Sequence, residues 1–437
     1  MRTLYCILGY LLSPAYFAAL AWRGLRERGY WRGWGARLGF GPRIAPGGVW
    51  VHAASVGETQ AAAPLLVALR RCYPTLALLM TTATPAGLER ARALLGAHGV
   101  QLRHVPLDLP GAVRRFLART QPRLAIMLET ELWPNLYHGC RARDVPLVLL
   151  SARLSERSAR RYARIGRLWR DTLASVAWVG AQSAADAARF ARLGAPVART
   201  CVLGNLKFDL QVPAATEARG VALRQRHAAG RALWVAGSTH PGEEAVLLEA
   251  HRRLRLRHPG SVLALAPRHP QRFAEVAAAL ERAAVPFVRR SRNQPGAADI
   301  EVLLLDTLGE LLDWYAAADV AFVGGSLVPV GGHNLLEPAA LGRAILCGPY
   351  VFNNAEIARW LLERGALEQV PDAATLAERL ASLLEDAPER AHRGASGRAL
   401  VEENRGAVER ALGLIEPYLI PPASSVNAAA APELRAN

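Results

Sequence analysis

The feature that most constrains the fold is a regular alternation of short apolar runs with longer helical patterns, which begins after Pro42. The runs lack the polar and apolar alternation of half-exposed strands, so they predict strands buried on both faces. In the first half of the chain, the predicted strands are 49–52, 76–81, 124–128, 147–150, 178–181 and 200–203. The helical patterns between them are 59–71, 87–95, 112–119, 158–173 and 184–193. This alternation predicts a parallel sheet with helices on both faces.

The alternation of apolar runs and helical patterns is interrupted at 209–219, around Pro213, and then resumes. The predicted strands of the second half are 233–236, 262–266, 302–305, 320–323 and 344–346, and helical patterns continue from 373 to about 418. We therefore predict an α/β chain of two doubly wound, Rossmann-like domains, 44–212 and 213–420, that face a cleft. Ligands should bind outside the carboxyl ends of the strands. The tail, 421–437, is predicted to be disordered.

Residues 1–43 predict a membrane anchor with a basic, aromatic flank. The stretch 4–22 holds 19 uncharged, mostly apolar residues, which at about 1.5 Å per residue is enough to cross a bilayer core. Six arginines follow and indicate a cytoplasmic flank by the positive-inside rule: Arg23, Arg26, Arg28, Arg32, Arg37 and Arg43. Nearby aromatics are typical of headgroup depth, so shallow insertion and a full crossing both stay open. A cleavable signal peptide and a buried helix of the globular fold are the other interpretations.

The charge balance favours anionic partners. The chain has 53 basic residues against 37 acidic ones, a net charge of +16, and all basic residues except Lys207 are arginine. Nucleic acid, phosphate-bearing substrates and membrane surfaces would all suit this charge. The aromatics concentrate near the N-terminus instead of interleaving with arginine, which disfavours stacking on bases. We expect anionic inner-membrane lipids and phosphorylated substrates as partners, and no nucleic acid.

Candidate chemistry in the first domain follows three of the predicted strands. Glu58 ends an S-x-x-E capping box, and its alternative role is to accept a proton from an incoming hydroxyl. Glu129 and Glu131 come directly after a buried strand, where carboxylates are costly unless they are paired or lie in a cleft, although a helix start explains them equally. Lys207 stands in a chain that otherwise uses arginine, so it is either a required compact charge or an incidental surface residue.

In the second domain, four strand exits and one following segment are rich in glycine, arginine, histidine and hydroxyl groups. They are Ser238, Thr239 and His240; Pro267, Arg268 and His269; Leu308, Gly309 and Glu310; Gly324, Gly325 and Ser326; and Asn334, Leu335, Leu336 and Glu337. Gathered at one sheet edge, such groups suit a phosphate and a ribose. Arg268 can hold a phosphate or carboxylate through two hydrogen bonds. Glu337 can accept ribose hydroxyls, or it can belong to a helix cap with Asn334.

No metal or cofactor motif is present in the sequence. It has no G-x-x-x-x-G-K-[ST] phosphate loop and no D-x-D pair, and its five cysteines are scattered without a C-x-x-C. The histidines at 240, 269 and 333 lack the spacing of metal ligands. We therefore predict a metal-independent transferase that needs no cofactor.

Taken together, these segments resemble the bacterial transferases of 3-deoxy-D-manno-octulosonic acid (Kdo) in lipid A biosynthesis, which are two-domain glycosyltransferases of the GT-B class. The resemblance rests on HAASVGET at 52–59, ETELWPN at 129–135, LKFD at 206–209, STH at 238–240, PRHP at 267–270 and GGHNLLE at 331–337. It implies transfer of Kdo from CMP-Kdo to the lipid A disaccharide precursor (lipid IVA), with inversion. The expected location is the cytoplasmic face of the inner membrane.

The resemblance also implies roles for individual residues. Glu58 would be the general base, Glu129 and Lys207 would stabilise the transition state, and Glu131 would be a neighbour of less defined role. The CMP-binding residues would be Pro267, Arg268, Leu308, Gly309, Glu310, Asn334, Leu335, Leu336 and Glu337. Further candidates for donor contacts are Ser238, Thr239, His240, His269, Gly324, Gly325 and Ser326. The alternatives are another GT-B transferase or epimerase with a UDP donor, and a basic nucleic-acid-binding protein.

Overall fold

The computed structural model describes residues 1–292 and 299–419. The described residues divide into two compact units, of which the first comprises Met1–Asp209 together with residues 406–419, and the second comprises Leu210–Arg405. The break after Asp209 lies close to the boundary predicted after residue 212. The predicted disordered tail, 421–437, lies outside the described residues.

The first unit is built on a seven-stranded parallel sheet. Its strands are β1 (Val49–His52), β2 (Leu78–Thr82), β3 (Gln101–His104), β4 (Leu124–Leu128), β5 (Leu147–Ala152), β6 (Trp178–Ala181) and β7 (Thr200–Val202). They lie in the order β3-β2-β1-β4-β5-β6-β7, and every neighbouring pair is parallel. β1 and β4 are buried along their whole length, as their apolar sequences predict.

Helices cover both faces of this sheet. Before the domain break they are α1 (Arg2–Arg26), α2 (Trp34–Arg37), α3 (Val56–Cys72), α4 (Pro85–Leu95), α5 (Pro110–Thr120), α6 (Pro134–Arg141), α7 (Glu156–Ala163), α8 (Gly166–Leu173) and α9 (Ala184–Leu193). Successive residues of β1 point to opposite faces: Val49 and Val51 pack into one apolar cluster, and Trp50 packs into the other. The sheet is therefore sandwiched between two cores.

The second unit repeats this architecture. Its strands are β8 (Leu233–Thr239), β9 (Val262–Pro267), β10 (Phe287–Arg289), β11 (Val302–Leu304), β12 (Val320–Val323), β13 (Ala344–Cys347) and β14 (Leu367–Gln369). The order is β10-β11-β9-β8-β12-β13-β14, again parallel throughout. Its helices are α10 (Thr216–Ala228), α11 (Glu243–Arg257), α12 (Phe273–Arg282), α13 (Leu311–Ala317), α14 (Leu336–Ala340), α15 (Ala355–Glu363), α16 (Ala373–Glu385) and α17 (Ala387–Glu403).

The strand order of each sheet determines where a ligand can bind. In the first sheet the chain order reverses between the central strands β1 and β4, and in the second it reverses between β8 and β12. At such a switch point the connections leave in opposite directions, and a crevice opens outside the carboxyl ends of the two strands. The segments with Glu58 and Glu129 leave β1 and β4, and the segment with Gly324 leaves β12. Ser238 and Thr239 are the last two residues of β8, which is longer than the predicted strand 233–236, and His240 follows it.

The last described helix, α18 (Ala407–Leu419), belongs to the first unit, whereas the range 213–420 had assigned it to the second domain. The Asp209 carboxylate holds its start, because it accepts hydrogen bonds from the backbone N–H groups of Gly406, at 2.6 Å, and of Val408. One face of α18 packs into the first unit's core through Ala407, Ala411, Ile415 and Leu419. A helical pattern reveals an apolar face but not the domain against which it packs.

The N-terminal helix α1 leaves most of its apolar surface exposed. Among the described residues it is the one helix that is long and apolar enough to cross a membrane. Of its residues only Leu20 and Gly24 are buried, so the interpretation as a buried core helix is wrong. Leu8 is 52% exposed and Leu11 is 70% exposed. The helix continues through Pro14.

Polar contacts join α1 to the rest of the first unit, and they include a hydrogen bond from the Arg37 guanidinium to the Tyr16 hydroxyl at 3.0 Å. The Tyr5 hydroxyl donates to the Asp108 carboxylate at 2.9 Å, and the Cys6 thiol donates to the Asn135 side chain at 3.1 Å. The Tyr10 hydroxyl accepts a hydrogen bond from the backbone N–H of Gly111 at 3.1 Å. One side of the first half of α1 therefore contacts the folded domain.

Candidate active site

Glu58 lies in the first turn of α3, directly after β1. Its carboxylate accepts hydrogen bonds from the backbone N–H of Ala54 at 2.7 Å and from the Ser55 hydroxyl at 2.9 Å, and the Ser55 oxygen accepts the backbone N–H of Glu58 at 3.3 Å. The Ser55 hydroxyl therefore caps α3, but the Glu58 carboxylate binds the backbone N–H of Ala54, one residue before the Ser55 N–H that a capping box uses. Burial and, to a smaller extent, the negative charges of Glu129 and Glu131 together raise the pKa of the Glu58 carboxyl to about 7, although the hydrogen bonds from Ala54 and Ser55 act to lower it. A carboxyl that is half ionised near neutral pH suits a general base.

Glu129 and Lys207 form an ion pair beside this turn. The Lys207 ammonium donates to the Glu129 carboxylate at 2.7 Å, and each side chain is less than one-fifth exposed. The ammonium also lies 4.0 Å from the position that a Cβ on Gly57 would occupy. Three segments that are far apart in sequence, after β1, β4 and β7, therefore meet at one edge of the sheet. The lone lysine is not an incidental surface residue.

Polar side chains behind the ion pair hold its backbone. The Asn205 side chain accepts the backbone N–H of Lys207 at 3.0 Å and donates to Gln182, which in turn donates to the Ser151 hydroxyl at 3.2 Å. Ser151 and Glu129 both have positive φ angles, 50° and 52°. Such angles are uncommon for residues with a Cβ and are concentrated at functional sites. Sequence reasoning missed Ser151 and Gln182, because neither stands in a motif and the signal is conformational.

Glu131 makes a separate contact with β1. Its carboxylate accepts a hydrogen bond from the Trp133 indole N–H at 2.6 Å and lies 3.4 Å from Nε2 of the buried His52. Burial acts to raise the pKa of Glu131, but the hydrogen bonds from His52 and Trp133 outweigh it and hold this pKa below the usual value. Glu131 is therefore ionised where Glu58 titrates, and its charge acts on Glu58.

In the second unit, three histidines gather at the switch point. Nε2 of His240 and Nε2 of His333 are 2.8 Å apart, so one ring donates and the other accepts. The ring of His269 packs edge-on against His240, with 5.4 Å between the centroids. Burial, together with the positive charge of Arg268, lowers the pKa of His333 to about 3, and the pKa values of His240 and His269 are lowered by burial and by neighbouring cationic groups. The rings are therefore neutral at pH 7, and Arg268 provides a positive charge beside them. An anion that bound here would be attracted to Arg268 and would favour protonation of the rings.

The glycine loop after β12 is held from inside the protein. The fully buried Glu243 carboxylate accepts backbone N–H groups of Gly325 at 2.7 Å, Ser326 at 2.9 Å and Leu327 at 2.8 Å. A fourth N–H comes from His240 at 2.8 Å. A phosphate contact from the amides of Gly325 or Ser326 would require them to leave Glu243. Sequence reasoning missed this carboxylate, which occupies the position expected for a ligand.

Further hydrogen bonds of the glycine segments lie inside the unit. The Ser326 hydroxyl donates to the Val323 carbonyl at 2.5 Å and accepts the backbone N–H of Gly348 at 2.8 Å. Gly325 has a φ of 68°, and a Cβ there would lie 2.9 Å from the His333 ring. A side chain at this position would displace the histidine cluster.

The remaining predicted CMP-binding segments start helices at the same edge. Leu308 is 71% exposed, and a Cβ on Gly309 would meet nothing within 4 Å, so the backbone here is open to a ligand. The Glu310 carboxylate accepts hydrogen bonds from Thr307 and from Arg290. In the segment before α14, the Asn334 side chain accepts the backbone N–H of Leu336 at 3.1 Å.

The Asn334 amide also donates to the Glu337 carboxylate at 3.0 Å. Asn334 and Glu337 thus bind each other at the start of α14, although the N-cap residue is Leu335 and not Asn334 as the capping interpretation has it. Ribose binding by Glu337 stays a prediction. Within residues 1–292 and 299–419, no three His, Cys, Asp or Glu side chains converge as a metal ion requires. Metal independence likewise stays a prediction.

Known proteins are similar to this chain over most of its length. Residues 32–210 match the family model of 3-deoxy-D-manno-octulosonic-acid transferases. The chain is 42% identical to the 3-deoxy-D-manno-octulosonic acid transferase of Haemophilus influenzae, over 86% of this chain and 88% of the relative. It is 41% identical to the Bordetella pertussis enzyme of the same name, over 94% and 99%. The chain belongs to the Kdo transferase family.

Membership of the Kdo transferase family makes the chain a glycosyltransferase that transfers Kdo in lipopolysaccharide biosynthesis. A structural relative, UDP-GlcNAc 2-epimerase from Neisseria meningitidis, has a TM-score of 0.56 and 12% identity, over 84% of this chain and 99% of that one. At this identity it shows the fold alone, which is of the GT-B type that was predicted. The family and the exposed apolar surface of α1 are compatible with membrane association.

Proposed function

We propose that this Kdo transferase moves Kdo from CMP-Kdo to the lipid A disaccharide precursor, lipid IVA, with inversion and without a metal ion. The observation that carries the proposal is the Glu58 carboxyl at the β1 switch point, whose pKa of about 7 suits a base at neutral pH. The ion pair of Lys207 and Glu129 lies beside it. Glu58 can accept the proton of an acceptor hydroxyl, and the Lys207 ammonium provides a fixed positive charge beside it.

The proposed reaction is a single displacement. The acceptor hydroxyl oxygen forms a bond to the anomeric carbon of Kdo while its proton passes to the Glu58 carboxylate. At the same time the bond between that carbon and the phosphate oxygen breaks, and CMP leaves with the electron pair. One displacement at the anomeric carbon inverts its configuration. Lys207 and Glu129 act as preorganised charges for the transition state, and they need no reorganisation because they already contact each other.

The second unit supplies the proposed donor site. Negative charge develops on the leaving CMP phosphate, and Arg268 with the cluster of His240, His269 and His333 provides donors for it. The open backbone at Leu308 and Gly309 and the helix start at Asn334 are the proposed contacts for the rest of CMP. This assignment is supported by the placement of all these segments at the carboxyl-terminal edge of one sheet.

The proposed location is the cytoplasmic face of the inner membrane, with α1 lying in the headgroup region. The exposed leucines of α1 suit lipid, and the arginines that follow it suit anionic headgroups. The contacts of Tyr5, Cys6 and Tyr10 with the folded domain support shallow insertion over a crossing. A helix that crossed the bilayer would have to give up these contacts.

The test is a reaction of the purified full-length protein with CMP-Kdo and lipid IVA, with and without a chelator. We expect a Kdo-containing product of inverted anomeric configuration by NMR, at a rate that the chelator does not change. Mass spectrometry after exhaustive reaction gives the number of Kdo residues added. Turnover with a UDP-sugar in place of CMP-Kdo would contradict the donor assignment, and loss of activity with the chelator would contradict metal independence.

A further inference from the structure

Helix α7 of the first unit carries a stripe of arginines that the proposed reaction does not use. Arg157, Arg160, Arg161 and Arg164 are spaced i, i+3, i+4 and i+7, so they share one face of the helix. All four are exposed, whereas Ala159 on another face is buried. With Glu156 and Ser158 they border an open space of about 650 Å³.

The acidic residue in this region does not neutralise the stripe. Both oxygens of the Glu156 carboxylate are shared by three arginines, with Arg160 at 3.5 Å, Arg189 at 3.3 Å and Arg192 at 2.9 Å. Asp186 of α9 is a second carboxylate here and pairs with Arg189 at 3.1 Å, but the arginines of α7 and α9 still outnumber these two acidic groups. Like charges at i, i+4 weaken an isolated helix, so the stripe favours an anionic partner.

The position of α7 identifies that partner. The helix begins shortly after β5, which neighbours β4, and β4 neighbours β1. Strands in a sheet lie about 4.8 Å apart, so the ends of β1 and β5 are about 10 Å apart. The Thr130 hydroxyl, between Glu129 and Glu131, donates to the carbonyl of Arg153 in the loop that leads to α7. The stripe therefore lies on the same sheet edge as Glu58.

The exposed apolar helix also approaches this edge. Its contacts are with Asp108, in the segment after β3, and with Asn135, at the start of α6 after β4. Three properties are thus combined at the carboxyl end of one sheet: a lipid-facing helix, a base for a hydroxyl group and a row of cations. An amphiphile that carries acyl chains, a free hydroxyl and phosphate would engage all three.

We propose that the arginine stripe of α7 binds phosphate on the glycolipid acceptor, an inference that rests on the proposed function. Guanidinium groups suit phosphate because each can donate two parallel hydrogen bonds. The stripe sets acceptor affinity and orientation, and it takes no part in the displacement itself. Arg157, Arg160, Arg161 and Arg164 are thus positioning residues for the acceptor.

The test compares two double variants of the full chain that lose the same charge from the first unit. Arg157→Gln with Arg161→Gln removes half of the stripe. Arg71→Gln with Arg141→Gln is the control, because both residues are exposed and lie in the last turns of α3 and α6, toward the other edge of the sheet. Circular dichroism and thermal unfolding should match the wild type for both, since all four side chains are exposed.

The first readout is binding without turnover. Each protein is floated with phosphatidylcholine vesicles that contain a few per cent of lipid IVA, or phosphatidylglycerol at equal charge. We expect the stripe variant to bind the lipid IVA vesicles about 25-fold more weakly, at about fivefold for each guanidinium–phosphate hydrogen bond lost. The control should bind as the wild type does. Equal losses by both variants, or an equal loss on both kinds of vesicle, would overturn the proposal.

The second readout is kinetic. The stripe variant should show a KM for lipid IVA raised about 25-fold, with kcat and the KM for CMP-Kdo unchanged. Enzymatic removal of the acceptor's phosphate should abolish the difference between the variant and the wild type. A difference that persists without phosphate, or a loss of DNA binding in place of acceptor binding, would refute the assignment. Absence of wild-type turnover would refute the proposed function instead, and the vesicle assay would still decide the role of the stripe.

Discussion

Glu58→Gln separates the two roles of this residue, because they predict opposite effects on stability. The rise of the Glu58 pKa from 4.5 to about 7 corresponds to about 3 kcal/mol, at 1.36 kcal/mol for each tenfold change in acidity. The folded pKa is the higher one, so the folded state binds more protons between these values. Stability is therefore lost as the pH rises from 4.5 through 7, and the penalty is fully present above pH 7.

Glutamine carries no charge and avoids this penalty. It also replaces one of the two acceptor oxygens that contact Ala54 and Ser55, which costs about 1 kcal/mol. We therefore expect Glu58→Gln to stabilise the first unit by about 2 kcal/mol at pH 8, and to have almost no net effect near pH 5.5. The melting temperature should rise by about 4–8 °C more at pH 8 than at pH 5.5. Transfer activity should fall by about 10²- to 10⁴-fold, as loss of a general base predicts.

Ser55→Ala is the matched control. It removes the cap but leaves the carboxylate, so it should cost about 1 kcal/mol of stability and retain transfer activity at pH 8. The measurements are thermal unfolding at both pH values and initial rates with CMP-Kdo and lipid IVA. A difference in melting temperature between Glu58→Gln and the wild type that does not change with pH would refute the raised pKa. Near-normal activity of that variant would refute the base and leave only the cap.

Three further predictions concern the other charged groups. Lys207→Arg should lower kcat at least about 100-fold in rate assays despite the retained charge, because the planar group cannot replace an ammonium 2.7 Å from Glu129 beside Gly57; wild-type turnover would contradict this. Glu243→Ala removes the acceptor of four N–H groups, of which those of Gly325 and Ser326 are buried and cost about 1–3 kcal/mol each when unpaired, so CMP affinity by calorimetry and thermal stability should both fall. Binding of CMP near pH 5 should take up protons, because an anion raises the pKa of His333 from its lowered value of about 3 toward that pH; identical heats in buffers of different ionisation enthalpy would exclude this.

Local patterns were sufficient to predict the central strands, since β1 and β4 are continuous apolar runs buried on both faces. The strands that were missed, β3, β10 and β14, are short or partly exposed and lie at sheet edges. Edge strands carry polar side chains and therefore show no apolar run. The strand order, and with it the switch points, depends on long-range packing that no local pattern contains.

The candidate site was predictable in part for the same reason. Glu58 and Lys207 could be singled out by a motif and by rarity, but their approach to each other follows from the sheet order. Ser151 and Gln182 hold the backbone of this site through contacts across three strand exits, and a single sequence shows no such pattern. Glu243 has a structural role that was not predicted. It lies in the first turn of α11, and its buried carboxylate binds the loop after β12, a contact that no local pattern indicates.

The carboxylates of the first unit act on one another, and this coupling can be tested by opposite shifts of a pH profile. Glu129 pairs with Lys207 and Glu131 lies beside His52, whereas Glu58 accepts hydrogen bonds from the neutral groups of Ala54 and Ser55. The charge of Glu131 raises the pKa of Glu58, and the Ser55 hydroxyl lowers it. The acidic limb of kcat/KM for wild-type enzyme should therefore lie near pH 7, moving down in Glu131→Gln and up in Ser55→Ala. Shifts in the same direction would show that the limb reports a group other than Glu58.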